Sequence, residues 1–81
     1  MSKKNIYIDI SESSIEEIRL LLAYLKDKYF FEKINARLVD ELAQNKFTMV
    51  LDDTEKICYL ENERYDNSMT ILEFKKNKLY N

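Results

Sequence analysis

Eighty-one residues pass without a glycine or a proline, and that absence restricts the turns this chain can make more than any other feature of it. Glycine enters the left-handed backbone region at no steric cost and proline presets the first position of a turn, so without them reversals fall to Asn, Asp and Ser, whose short side chains bond nearby backbone. Turns are therefore expected where those residues gather, at 11–13, 52–54 and 62–67. The same absence excludes a P-loop, a dinucleotide-binding turn and any glycine-dependent phosphate cradle. Histidine is missing as well, which removes the usual base of a nucleophilic triad and the commonest zinc ligand.

Between the first two turn clusters lies the longest stretch with one clear period, residues 14–29. At about 100° per residue, Ile15, Ile18, Leu21, Leu22, Leu25 and Tyr29 fall on one apolar stripe, with Glu16, Arg19, Lys26 and Asp27 outside it. That is an amphipathic helix with a core-facing side. Its start is marked twice by a serine three residues ahead of a glutamate, Ser13/Glu16 and Ser14/Glu17, the capping-box pattern. Upstream, Ile6, Ile8 and Ile10 alternate with Tyr7 and Asp9, the mark of a half-buried strand.

Downstream, Phe31, Ile34, Leu38 and Leu42 form a second helical stripe ending near Asn45, which can take the left-handed conformation of a helix stop. One helix running through both stripes would set them roughly 150° apart, so a break is expected at 29–31, where an aromatic run is poor in helix propensity. Two other readings stay open. Residues 28–33 form a short strand with Asn35 capping the second helix; or one long helix presents Leu20, Tyr24, Phe31, Ile34 and Leu38 as a dimer seam, with Asp27 and Glu41 then standing in core positions.

From Lys46 onward the period is two. Phe47, Met49 and Leu51 alternate with Thr48 and Val50, Ile57 and Tyr59 with Cys58 and Leu60, and Met69, Ile71 and Glu73 with Thr70, Leu72 and Phe74. Three strands joined by short links favour an antiparallel meander. The expected fold is α+β in the order β-α-α-β-β-β, an antiparallel sheet with two helices packed on one face, as a single domain over 1–81 whose basic end, 75–81, frays. Apolar residues on both strand faces leave Val50, Cys58 and Leu60, or Thr70, Leu72 and Phe74, uncovered in a monomer and open to a partner.

A hydrophobic share of 46% and a charged share of 35% belong to a folded chain rather than a disordered one. No run approaches the roughly 20 apolar residues that span a bilayer, and the N-terminus lacks the hydrophobic region of a signal peptide; the expected location is cytoplasmic, away from membranes. Cys58, the one cysteine, cannot form an internal disulfide and reads as a buried, inert thiol. A net charge of −2 gives no general attraction to nucleic acid or anionic lipid.

Local clusters remain. Asp52 and Asp53 are adjacent acids, but a calcium loop needs several oxygen ligands at set spacing and a glycine at its bend, so turn chemistry is expected and neither metal nor cofactor. Residues 52–66 hold six acids against Lys56 and Arg64, a concentration suited to a basic groove on a partner, although a meander sets the Asp52 turn and the Glu61/Glu63/Asp66 loop at opposite ends of one hairpin. Tyrosine occurs six times and tryptophan never; Tyr24, Tyr59 and Tyr65 are candidate anchors, since tyrosine gives contact area at small entropy loss. Leu20 and Tyr24, one turn apart and off the main stripe, are either covered by the second helix or an association site. Lys75, Lys76 and Lys78, interleaved with Phe74 and Tyr80, have the character of a phosphate-backbone contact, set against a plain solvated end.

In size, acidity and lack of catalytic residue types the chain is similar to small phage and mobile-element proteins that inhibit a bacterial enzyme by occupying its surface, anti-CRISPR proteins among them. That resemblance is compositional and carries no residue role with it. The residues themselves point to a non-catalytic protein-binding module, expected as a homodimer, that meets a larger protein through Leu20, Tyr24, Asp52, Asp53, Glu61, Glu63 and Tyr65. The alternative is a nucleic-acid-associated accessory protein working through Lys75, Lys76 and Lys78.

Overall fold

The computed structural model describes residues 5–79, and the side chains within that span other than those of residues 36, 78 and 79. The sheet is laid out around β3 (Thr48–Asp52), a strand buried along its whole length. Its neighbours β1 (Asn5–Asp9) and β4 (Ile57–Glu61) both run antiparallel to it, with Ile8 opposite Met49 and Leu51 opposite Cys58. At the edges stand two-residue strands in parallel pairing, β2 (Phe30–Phe31) beside β4 and β5 (Met69–Thr70) beside β1. The order across the sheet is β2-β4-β3-β1-β5. The helices are α1 (Ile15–Leu25), α2 (Val39–Leu42), entered through a 3-10 turn over Ala36–Leu38, and α3 (Ile71–Leu79).

Strand alternation decides where the core lies. Ile8, Met49, Leu51 and Cys58 point to one face and join the buried side chains of α1, Val39 of α2, and Ile71 and Phe74 of α3 in one cluster, so the three helices cover the same face. The stripe expected on α1 is the one it buries, through Ile18, Leu21, Leu22 and Leu25. Of the two possible capping boxes, Ser14/Glu17 is the one formed, with both reciprocal hydrogen bonds made. The helix ends at Leu25, but the stripe continues into the following turn, where the Tyr29 N–H donates to the Leu25 carbonyl and its ring is buried.

The sheet is mixed rather than antiparallel, and two local readings explain the difference. Residues 30–31 are neither a helix corner nor part of a long helix with a heptad seam: they form β2, whose Phe30 N–H donates to the Lys56 carbonyl at 2.8 Å and whose successor Glu32 donates to that of Cys58 at 2.9 Å. Pairing with β4 satisfies backbone groups and packs Phe31 against the core, and aromatic residues suit a pleated surface better than a helix. Asn35 then caps the 3-10 turn, accepting from the Arg37 N–H at 2.9 Å.

The third meander strand likewise stops after Thr70. There the Thr70 hydroxyl accepts from the Glu73 N–H while the Glu73 carboxylate accepts from the Thr70 N–H, a second capping box that starts α3. Ile71 and Phe74, three positions apart, then face the core. The element order is thus β-α-β-α-β-β-β-α. Residues 75–79, expected to fray, form the second half of α3, and 80–81 lie outside the described residues.

Left-handed backbone falls on lysine instead of Asn or Asp. Lys33 and Lys56 both have φ 58, and Asn45 is not among the positive-φ residues. For a residue with a Cβ this conformation costs about 1–2 kcal/mol, offset here by the chain reversals it permits.

Two crossovers traverse the sheet. From β1 the chain passes through α1 over the helical face to β2; from β4, residues 62–68 pass back over the other face to β5. That second crossing acts as a strap. The Thr48 hydroxyl donates to the Glu63 carbonyl at 2.6 Å, and the Tyr65 ring lies on Tyr7. Moving in opposite directions on opposite faces, the two crossovers share one hand, as parallel connections in a sheet do.

Candidate functional site

The face of the sheet without helices is built by the complementary half of each strand's alternation. Register sets Tyr7 of β1, Val50 of β3 and Tyr59 of β4 in one row across three strands, where directly opposite side chains are roughly 5 Å apart. Val50 is 0% exposed yet belongs to no helix-covered cluster. Its cover is the flanking tyrosines, with Tyr65 stacked on Tyr7 at 4.2 Å between ring centroids. Val50 was expected to share a face with Cys58 and Leu60; the register puts those two on the helical side and Tyr59 beside Val50.

Next to this row stand carboxylates. The Tyr65 phenol is pushed above its ordinary value of 10, first by burial and then by Glu61 and Glu63, with smaller effects from Tyr7 and Tyr59. Those groups therefore share one electrostatic neighbourhood. Along the outer side of β4 a recess of about 540 Å³ is lined by Glu32, Lys33, Lys46, Glu55, Tyr59 and Glu61 among others. Phe30, beside Ile57 in the register, is 71% exposed.

At the strap end, Arg64 lies over the Phe47 ring at 4.5 Å from its centroid. Asp9 is held below its ordinary 3.8 by the Ser11 hydroxyl and N–H, at 2.6 and 2.9 Å, with a smaller contribution from Arg64.

The expected partner-binding residues separate into three places, and the lysines of the alternative reading occupy a fourth. Glu61, Glu63 and Tyr65 come together with Tyr7 and Tyr59. Asp52 and Asp53 sit at the far end of the β3–β4 hairpin, as the meander reading required. Asp52 is buried there, its Oδ1 accepting from the N–H groups of Thr54 and Glu55 at 2.9 and 3.1 Å. Asp53 accepts from the Tyr29 hydroxyl at 2.5 Å and from Lys56 Nζ at 3.2 Å. Burial and then Asp53 hold the Tyr29 phenol well above its usual range. Both aspartates build the turn.

Leu20 and Tyr24 lie on the opposite side of the molecule, on the outer surface of α1. The second helix does not cover them: they are 60% and 46% exposed, and α2 meets α1 instead on the Arg19 side, through an Arg19–Asp40 pair at 3.2 Å. The Lys28 ammonium lies over the Tyr24 ring at 4.9 Å. Lys75 and Lys76 are exposed on α3 and act on Glu17 and Glu73 respectively. Lys78 is in the last turn of the same helix, while its side chain and Tyr80 lie outside what the structure describes.

Tyr7, Phe30, Glu32 and Glu55 are residues of this surface that sequence reasoning did not single out. For Tyr7 the signal was present, since its alternation with three isoleucines put it on the other face. Among the described residues no group of three or more Cys, Asp or Glu side chains is arranged to hold a metal ion, and no helix is long and apolar enough to cross a membrane. Cys58 is buried, and burial pushes its thiol up to about 12. Compared with protein-family models, curated proteins and solved structures, the chain matches none.

Proposed function

We propose that this chain is a non-catalytic protein-binding module that acts by covering part of a larger protein. The observation that carries the reading is the gathering of Tyr7, Tyr59 and Tyr65 around Val50 on the helix-free face, with Glu61 and Glu63 beside them. Tyrosines held by strand register and ring stacking offer large contact area with little ordering left to do on binding. Carboxylates at the border steer encounter and reject wrong partners. Inhibition by occlusion, the mode of the phage and mobile-element proteins this chain is similar to in composition, needs no more than such a surface.

The test is capture of a partner from host extract by the parent chain and by two variants. Tyr59→Ala is expected to lose the captured protein while its circular dichroism stays that of the parent, and Leu20→Glu to retain it. Capture undiminished by Tyr59→Ala, or abolished by Leu20→Glu alone, would move the binding surface off the sheet. Self-association belongs to the Leu20 and Tyr24 side of the molecule: Leu20→Glu with Tyr24→Lys is expected to turn a sedimenting dimer into a monomer, and a parent chain that is already monomeric at high concentration removes the dimer.

A further inference from the structure

We infer that the outer edge of β4 receives a short extended segment of the partner, one that alternates basic and apolar side chains and adds itself as a strand beyond the end of β2. This rests on the binding-module reading above and names the chemistry of what that surface takes.

The backbone supplies the first argument. The outward-looking carbonyls of the β4 edge are those of Lys56 and Cys58, taken by the N–H groups of Phe30 and Glu32. By the strand period of two the next outward-looking residue is Leu60. Before reaching it the chain departs, because β2 ends at Phe31 and residues 32–33 form a bend, with Lys33 at φ 58. Among the described residues no strand lies opposite Leu60. A sheet edge left in this state is where an added peptide strand gains main-chain hydrogen bonds.

Shape agrees with this. The stretch of edge beyond β2 opens on the recess of about 540 Å³, with Glu32 and Lys33 among its lining residues on the β2 side and Leu42 and Lys46 on the other. A flat edge would offer backbone groups alone; a recess also holds side chains.

Charge selects the occupant. Glu32, Asp52, Glu55 and Glu61 line the recess against Lys33 and Lys46, so the net sign is negative. A phosphate backbone is repelled. A second copy of this chain is disfavoured too, since it would bring a second recess of the same negative sign against the first. A basic segment is attracted, and Arg64 over Phe47 already demonstrates a guanidinium resting on an aromatic ring of this molecule.

Alternation then sets the motif. A residue placed beside Leu60 faces as Leu60 does, toward Leu42 and the helical side, whereas its two neighbours face with Tyr59 and Glu61. The segment reads basic–apolar–basic, with arginine ahead of lysine because the guanidinium both stacks on tyrosine and pairs with a carboxylate through two donors.

The experiment titrates a capped peptide of alternating arginine and valine, up to about 1 mM, into the isotope-labelled full chain and follows amide resonances. Shifts centred on 59–61 and slowed hydrogen exchange at the Leu60 N–H are expected. A glutamate–valine peptide should give neither. Glu61→Gln should weaken binding severalfold, and Glu32→Lys with Glu61→Lys by about tenfold or more. N-methylation of both the central valine and the arginine that follows it, which removes the donor to Leu60 in antiparallel and in parallel pairing alike, should abolish binding with charge unchanged; if it does not, the attraction is electrostatic and no strand forms. Equal binding of the acidic peptide, or shifts centred on α1, overturns the inference. Should the parent chain capture its partner through Tyr59 while the arginine–valine peptide leaves Leu60 unmoved, the basic strand falls and the binding module stands. Capture indifferent to Tyr59→Ala removes the module reading itself.

Discussion

The two faces of β3 are both closed to water, by opposite means. On one, Met49 and Leu51 meet aliphatic side chains from the helices; on the other, Thr48, Val50 and Asp52 are sealed by the strap, a row of tyrosines and a turn. Aliphatic packing gains stability from apolar area and presents nothing to a partner. Tyrosine cover shields the strand with the body of each ring and keeps a polar tip at the surface. One face therefore holds the fold, and the other is the one we propose for the partner.

Substitutions that separate these roles should have effects of very different size. Phe74→Ala removes the buried aromatic through which α3 meets the core and should cost about 3–5 kcal/mol in urea denaturation, with partner affinity per folded molecule unchanged. A loss below about 1 kcal/mol would mean that α3 does not contribute to the helical face. Tyr59→Ala should act mainly on the partner, costing about 1 kcal/mol of stability with the cover it gives Val50 while weakening the partner by about 2 kcal/mol, some thirtyfold, as an anchor tyrosine does. Calorimetric titration of both chains measures the difference. Thr70→Ala, which unmakes the second capping box, should cost about 1 kcal/mol, and restoration by Thr70→Ser would assign that loss to the cap.

The smallest effect concerns acid. Asp9 is held below its ordinary 3.8 chiefly by Ser11, so the folded state binds its proton less readily than the unfolded chain. Its contribution is complete above that ordinary value and is lost as pH falls through the lower folded value. Between about pH 6 and about pH 3 the parent should therefore lose stability more steeply than Asp9→Asn, as urea titrations at each pH would register. Parallel slopes would place the acid sensitivity of the strap end elsewhere, with Glu17 and Glu73, both lowered by their capping bonds, next in line.

What could be read from the chain follows the range of the interactions. β1, α1 with its cap and the β3–β4 hairpin are local, each fixed by a period and a turn signal within a dozen or so residues. β2 was legible only as an alternative, because an aromatic run suits a strand as readily as a helix break. α3 was missed although its signal matches the one used for α1: threonine three residues ahead of glutamate, at Thr70/Glu73. The alternation of Met69, Ile71 and Glu73 competed with it and was followed too far.

The parallel edges were beyond local reading. A link of a few residues implied antiparallel neighbours, but β5 pairs with only the last two residues of β1, so the strap crosses the sheet without travelling back along it. Of the surface, the aromatic alternation was visible at Tyr7 and Tyr59, while the stacking of Tyr65 on Tyr7 depends on that crossing and on nothing nearby in sequence.

Hydrogen exchange of the chain alone and with its captured partner asks most directly which face is used. Slowed exchange confined to residues 57–65, with α1 unchanged, is the pattern expected if the tyrosine face and the β4 edge bind. Protection centred on Leu20, Tyr24 and Leu72, with 57–65 exchanging as freely as before, would contradict it and give the helical side both roles.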